Sequence, residues 1–175
     1  DAVIKYQGYE RATIRVNSST KTLGNRLEVG ENFTLSLDNR KGGYGNDGEQ
    51  NAVSGAYKHH PLLPNYDIAG NFAGSRGLNL GNNYNPYASQ FRNQDDRARR
   101  ARMFGNVYAQ LTLAEDFKFR SSFGADITTR RAIDIGRPQP EYVEGNFING
   151  QTSAQSWGYE WVFTNTLSWS KMIND

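Results

Sequence analysis

The sequence predicts an all-β fold, and in particular an antiparallel segment of a large transmembrane β-barrel with about five strands. Hydrophobic and polar residues alternate over segments of roughly nine to thirteen residues, whereas strands of soluble domains usually have about five or six. The connections between these segments alternate between short and long, which places tight turns at one end of the sheet and large loops at the other. Aromatic residues make up 13% of the chain, and membrane barrels concentrate such residues at their two interfaces.

The composition restricts the functional classes. The 175 residues are enough for one domain with a core, and the net charge of +2 predicts no nucleic acid or other polyanion as partner. The absence of cysteine excludes disulfides and thiolate metal sites. No apolar run is long enough for a membrane helix. The chain opens with "DAVIKYQGYE", without Met or a signal peptide, and we expect it to be a fragment, natural or experimental.

The first two predicted strands cover residues 11–19 and 27–38 and are joined by the short connection "TKTLGNR". In each, most alternate residues are apolar, so that one face of the strand is largely apolar. The apolar face consists of Ala12, Ile14 and Val16 in the first strand and of Leu27, Val29, Phe33, Leu35 and Leu37 in the second. A long polar loop over residues 39–101 is predicted to follow, with a short helix near residues 51–58.

The remaining strands are predicted over residues 102–114, 117–130 and 155–170. The tight connection "AED" joins the first two of these, and a second long loop covers residues 131–154. The last strand carries all three tryptophans of the chain at odd-numbered positions, together with Tyr159 and Phe163. An aromatic at nearly every second residue, on one face only, is typical of a strand whose outer face contacts lipid and its headgroups.

A membrane barrel turns the apolar face outward and the polar face toward the lumen. The residues predicted to face lipid are Phe33, Leu35, Leu111, Phe123, Trp157, Trp161, Phe163 and Trp169. Those predicted to face the lumen are Tyr108, Gln110, Arg120 and Glu160. Five strands cannot close a barrel, and lipid does not tolerate open sheet edges, so the chain would be part of a larger barrel. The alternative is a soluble or surface-attached β-sandwich that binds carbohydrate, in which the same apolar residues are buried against a second sheet.

Several spaced segments carry a resemblance to a known family. They are "YERATIRVNSS", "LEVGENFTLSLDN", "HPLLPNYDIAGNFAG", "NPYASQFRNQD", "RMFGNVYAQLTLAEDFKFRSSFGAD" and "WVFTNTLSWSKMIND". In this order and over nearly the whole chain, they resemble SusC/RagA-type TonB-dependent outer-membrane transporters.

The resemblance implies a location in the bacterial outer membrane, in a 22-stranded barrel that holds a plug domain. It also implies a SusD-like lipoprotein lid, energy supplied through the TonB complex acting on the plug, and import of a glycan or a peptide. The chain would be a middle part of the barrel wall, with the tight turns on the periplasmic side and the long loops outside. The plug domain is absent from these residues, so no functional residue of the plug is carried over.

Other patterns support neither catalysis nor a bound cofactor. Gly43, Gly45 and Gly48 have the spacing of a dinucleotide fingerprint but lack the required parallel strands and helix. His59 and His60 point apart in an extended segment and have no acid at a metal-ligand spacing.

The run "DDRARRAR" is interpreted as solvated ion pairs near a strand end, or as a contact for anionic lipopolysaccharide. No organised pocket supports the acidic pairs Glu141/Glu144 and Asp126/Glu160 as a glycosidase site. We therefore expect no enzyme, cofactor or metal.

Aromatic residues also crowd the long loop. Some of them are candidates for contacting substrate or lid: Tyr57, Tyr66, Phe72, Tyr84 and Tyr87. The alternative is that these rings form the small core that a large ordered loop requires.

Overall fold

The computed structural model describes residues 4–43, 52–77, 79–82 and 84–171. Its strands form one open antiparallel sheet in the order β1-β2-β3-β4-β5, so that neighbours in sequence are neighbours in the sheet. The prediction of an all-β chain with five antiparallel strands is confirmed. The strands are β1 (Gly8–Thr22), β2 (Leu27–Lys41), β3 (Arg97–Ala114), β4 (Phe117–Gly136) and β5 (Gly150–Trp169).

The strands are longer than the alternating pattern predicted, with lengths from 15 to 20 residues. β2 continues to Lys41, β3 begins at Arg97 and β4 continues to Gly136. The predicted loops over 39–101 and 131–154 are therefore wrong at their ends, because both loops begin later and end earlier. The hydrophobic alternation stops before the backbone pairing does, and polar contacts take its place: Asn39 Nδ2 donates to Glu10 Oε2 across 3.4 Å.

The chain divides into two compact units. We call the first the strand unit, which comprises residues 11–38, 100–130 and 156–175, and the second the loop unit, which comprises residues 1–10, 39–99 and 131–155.

Two tight turns connect strands within the strand unit. The turn from β1 to β2 contains three consecutive residues with positive φ, namely Leu23 (51°), Gly24 (64°) and Asn25 (68°). The Arg26 guanidinium closes this turn against β3 by donating to the carbonyls of Thr112 and Leu113. The turn from β3 to β4 consists of Glu115 and Asp116 only. Both lie where the sequence predicted short connections.

The loop unit has secondary structure of its own. It contains α1 (Ala52–Lys58), where a helix was predicted, α2 (Pro86–Arg92) and a 3₁₀ turn at Asn93–Asp95. Asn85 caps α2: its Oδ1 accepts from the backbone N–H groups of Tyr87 (3.0 Å) and Ala88 (3.1 Å). Within the described residues, neither α-helix has the length and apolar character that a membrane crossing requires.

Candidate functional site

Contacts between side chains define one polar face in the strand unit. Asn32 Nδ2 of β2 donates to Asn106 Oδ1 of β3 (3.2 Å), and Arg15 of β1 donates to Thr34 of β2 (3.3 Å). Because successive side chains of a strand point to opposite sides, these contacts place odd residues of β1 and even residues of β2 and β3 on the same side. We call this side the polar face and the other the apolar face. The polar face is the candidate functional site.

A carboxylate that two arginines share lies at one end of the polar face. Asp38 of β2 accepts from Arg100 Nη2 of β3 at 2.8 Å, and Arg11 Nε of β1 lies 3.5 Å from its other oxygen. The Asp38 side chain is only 3% exposed. A buried carboxylate needs paired charge to offset its lost hydration, and the two arginines supply it. This cluster joins β1, β2 and β3 side by side.

A second ion pair lies between β3 and β4, where the Arg102 guanidinium binds both carboxylate oxygens of Asp126. Next to it the polar face carries a recess of about 670 Å³. Three side-chain amides, two aromatic residues and one arginine line this recess, together with two carboxylates: Asn17, Asn32, Asn106, Phe104, Trp161, Arg15, Asp126 and Glu160. The recess therefore offers hydrogen-bonding groups beside apolar surface.

A third arrangement on the polar face is built around Tyr108 of β3. Its hydroxyl donates to Glu28 Oε1 of β2 at 2.9 Å, and the Arg120 guanidinium of β4 lies 3.8 Å from its ring centroid. The ring stands directly over Gly30, where an added Cβ would lie 2.6 Å from ring atoms. Glycine at this position therefore leaves the space that the tyrosine ring occupies.

The apolar face carries large side chains that remain exposed. Rings pair across β4 and β5: Phe123 and Trp161 stack with centroids 6.3 Å apart, and Phe117 and Trp169 lie 6.4 Å apart. Even so, Trp161 is 65% exposed and Trp169 is 61% exposed. All residues of β5 are exposed. This surface is thus an aromatic strip within the described sheet, and apolar surface of this kind usually marks an interface.

The residues predicted to face the lumen all lie on the polar face of the strand unit, at even positions of β3, β4 and β5. Tyr108 and Arg120 are in contact, and Glu160 lines the recess. Gln110 shares the even positions of β3 with Tyr108 and therefore lies on the same face. The residues predicted to face lipid occupy the odd positions of β2 to β5, which is the side of the aromatic strip.

The aromatic residues of the loop unit differ in their surroundings. Tyr66 stacks on Phe72 at 5.3 Å, and Tyr87 packs edge-on against both. Tyr84 lies against Tyr142 at 6.4 Å, and burial raises the pKa of the Tyr84 hydroxyl. Four of the five predicted candidates therefore pack against other rings of the loop unit: Tyr66, Phe72, Tyr84 and Tyr87. Tyr57 is 92% exposed and Tyr66 is 47% exposed, so these two of the five predicted candidates are open to a partner.

The histidines and the glycine pattern bring no further site together. His59 Nε2 lies 3.0 Å from the Leu63 carbonyl, and His60 Nδ1 accepts from the Leu62 N–H at 3.2 Å. Among residues 4–43, 52–77, 79–82 and 84–171, no three His, Asp or Glu side chains cluster as metal ligands do. Gly45 and Gly48, which belong to the glycine pattern, lie outside the described residues.

The acidic pairs considered for glycosidase chemistry take other partners. Glu141 forms a bidentate ion pair with Arg92, in which Nη2 and Oε2 are 2.8 Å apart, and both side chains are largely buried. Glu144 accepts from Tyr142 and Asn82. Asp126 is engaged by Arg102, although Asp126 and Glu160 line the same recess.

Three buried polar residues that order the molecule differ from the sequence analysis: Asp38 and Asn85 were missed, and Asp96 was wrongly interpreted as solvated within "DDRARRAR". Each is nearly buried, with an exposure of 4%, 1% and 8%, respectively. Burial raises the pKa of the Asp96 carboxyl, although its Oδ1 accepts from the Ile135 N–H at 2.8 Å. Asp38 occupies one of the alternating polar positions of β2, and this pattern could have identified it as a residue of the polar face. For the other two, the sequence carries no local signal of burial.

Comparisons with known proteins add no family assignment. No protein-family model matches the chain, and a search of curated proteins found no similar sequence.

Proposed function

We propose that this chain forms part of the wall of an outer-membrane β-barrel, in a TonB-dependent transporter that imports glycans or peptides. The polar face lines the transport path, and the apolar face contacts outer-membrane lipid. The partners are the rest of the barrel with its plug, the TonB complex acting through that plug, and a SusD-like lipoprotein. The chain has no catalytic role and binds no cofactor.

The observation that carries the proposal is the separation of chemistry between the two faces of one sheet. Ion pairs and hydrogen bonds join neighbouring strands on the polar face, whereas exposed tryptophans and phenylalanines occupy the other. A soluble sandwich covers its apolar face with a second sheet. All strands among the described residues belong to one sheet. Strands of 15 to 20 residues also exceed the roughly 9–11 residues that a membrane crossing needs.

Spin labels on adjacent strand positions test the proposal. The chain has no cysteine, so each single-cysteine variant carries one label. Leu35→Cys and Phe163→Cys report on the apolar face, and their neighbours Thr34→Cys and Thr164→Cys report on the polar face. The protein is placed in lipid bilayers, and each label is exposed to oxygen, which partitions into lipid, and to a water-soluble nickel complex.

We expect the labels at 35 and 163 to collide mainly with oxygen and those at 34 and 164 mainly with nickel. Labels at 35 and 163 that neither reagent reaches would indicate a buried interface and would favour the carbohydrate-binding sandwich. Equal access of nickel to all four labels would contradict both the lipid-facing and the buried interpretation of the apolar face.

A further inference from the structure

The polar face of the strand unit is not electrically neutral. By strand alternation it carries eight cationic side chains: Arg11, Arg15, Lys21, Arg100, Arg102, Lys118, Arg120 and Arg130. It carries four carboxylates: Glu28, Asp38, Asp126 and Glu160. The apolar positions of the same strand segments hold a single charged residue, Glu31. The face therefore has a net charge of four positive, twice that of the whole chain.

The four carboxylates are already counted in this net charge, and three of them have partners on the same face. Asp38 is bound by Arg100 and Arg11, and Asp126 by Arg102. Glu28 accepts from a tyrosine hydroxyl. Glu160 shares a second recess with Arg100 and Arg102.

Three arginines on this face, Arg15, Arg120 and Arg130, form no ion pair with a described carboxylate, and the surroundings of the first two suit a ligand. Arg15 lines the recess of about 670 Å³ and donates only to the neutral Thr34 hydroxyl. Arg120 lies over the Tyr108 ring, which orients its guanidinium without neutralising it. Within the described part of the chain, no carboxylate lies at ion-pair distance from either arginine. A surface with one sign of free charge concentrates solutes of the opposite charge.

The other groups in the recess point to the kind of anion. The amides of Asn17, Asn32 and Asn106 both donate and accept hydrogen bonds, as sugar hydroxyls require. Phe104 is exposed on the same face and offers an electron-rich ring surface to the C–H bonds of a sugar ring.

We propose that the polar face binds acidic oligosaccharides, whose carboxylates pair with Arg15 and Arg120 and whose hydroxyls bind the asparagine amides. This inference rests on the proposed function, since it names the substrate class that the transport path would prefer. It departs from the expectation that no polyanion is a partner, because the positive charge of this face exceeds that of the whole chain.

Isothermal titration calorimetry with two matched trisaccharides tests the inference. The probes are α-1,4-linked galacturonate trimer and the galactose trimer of the same linkage, which differ only by carboxylates in place of hydroxymethyl groups. The protein that contains this chain is used in a polyoxyethylene detergent, because maltoside detergents are themselves sugars. The double variant Arg15→Gln/Arg120→Gln is compared with Arg131→Gln, which removes an exposed arginine at an odd position of β4.

We expect the galacturonate trimer to bind more tightly than the galactose trimer, and its affinity to fall as salt screens the charges. The double variant should lose roughly 10- to 100-fold in affinity for the acidic trimer, whereas Arg131→Gln should bind as the parent does. Equal affinity for both trimers, or equal losses in both variants, would overturn the inference. A glutamate trimer that binds as tightly as the galacturonate trimer would overturn the assignment to a sugar.

The spin-label result separates this inference from the proposed function. Lipid contact at residues 35 and 163 without binding of the acidic trimer would refute the inference alone. Arginine-dependent binding without lipid contact would refute the transporter and keep the acidic-sugar site.

Discussion

Tyr108 and Arg120 hold each other in place on neighbouring strands, with the guanidinium 3.8 Å from the ring centroid. The tyrosine hydroxyl continues the contact to Glu28 on the next strand. One side chain of β3 therefore links β2 and β4 across the polar face, and its ring needs the free space above Gly30.

Replacing Gly30 by alanine should disrupt this link. The new Cβ would lie 2.6 Å from the Tyr108 ring, so the ring must move away from Glu28 and Arg120. We expect Gly30→Ala to lower the free energy of unfolding by about 1–3 kcal/mol, the usual range for overpacking. Denaturant unfolding followed by tyrosine and tryptophan fluorescence measures it.

Gly158→Ala is the matched control for this substitution. Gly158 lies within β5, and a Cβ there meets nothing within 4 Å. We expect no loss of stability, and a gain of up to roughly 1 kcal/mol from the reduced freedom of the unfolded chain. Equal destabilisation by both alanines would show that the Tyr108 ring does not depend on Gly30.

The buried ion pair of the loop unit should respond strongly to the loss of one charge. Arg92 and Glu141 are 11% and 8% exposed at their side chains and form two parallel hydrogen bonds. Glu141→Gln leaves the guanidinium buried without a counter-charge, at a cost of about 3–5 kcal/mol. The effect is measured by hydrogen exchange of the backbone amides of α2, which we expect to become faster.

Glu144→Gln removes the same charge three residues later, at an exposed position. We expect it to change α2 exchange little, since exposed polar contacts contribute less than about 1 kcal/mol. If Glu144→Gln accelerates exchange as much as Glu141→Gln does, the net charge of this segment matters more than the ion pair.

Asn85 should not tolerate aspartate. Its Nδ2 donates to the carbonyls of Asn65 (2.9 Å) and Ala73 (2.8 Å) at a site that is 1% exposed. Asn85→Asp keeps the helix cap but turns both donor bonds into contacts between acceptors. We expect a loss of about 2–6 kcal/mol, which corresponds to two buried unsatisfied carbonyls. Limited proteolysis of the loop unit reports it, with Asn79→Asp at an exposed site as control. Resistance of Asn85→Asp to protease would refute the role of these bonds.

The Asp96 carboxyl should make local stability depend on pH. Because burial raises its pKa in the folded state, ionisation is more costly there than in the unfolded chain, whose aspartates titrate near about 3.9. Stability is therefore greatest below this value and is lost as pH rises through the folded pKa. Asp96→Asn keeps the acceptor for the Ile135 N–H without a charge.

The protection of the Ile135 amide against hydrogen exchange checks this prediction. We expect protection in Asp96→Asn to exceed that of the parent protein by a margin that grows as pH rises through the Asp96 pKa. A margin that shrinks over the same range would mean that the ionised carboxylate stabilises this segment.

The strands and their two faces could be predicted from the sequence. The contacts between residues that are distant in the sequence could not. Alternation is a local signal, and Trp157, Trp161 and Trp169 display it within 13 residues. Arg100 and Asp38 are 62 positions apart, and their contact depends on the register of β2 against β3. The same holds for Arg92 and Glu141, which are 49 positions apart. The strand ends were misjudged because backbone pairing continues beyond the last alternating residue.

Because charged side chains are confined to one face, the effect of a deletion within a strand depends on whether it removes an odd or an even number of residues. Deleting one residue from the middle of β3 would move the side chains of either its first or its second half to the other side. In the first case Arg100 and Arg102 would lie on the apolar face, and in the second case Leu111 would lie on the polar face. Deleting two residues would shorten the strand and keep each side chain on its own side. We therefore expect these strands to tolerate changes in length in steps of two residues. A shift of one residue in strand register during folding would be unfavourable, because it would place charged side chains on the apolar face.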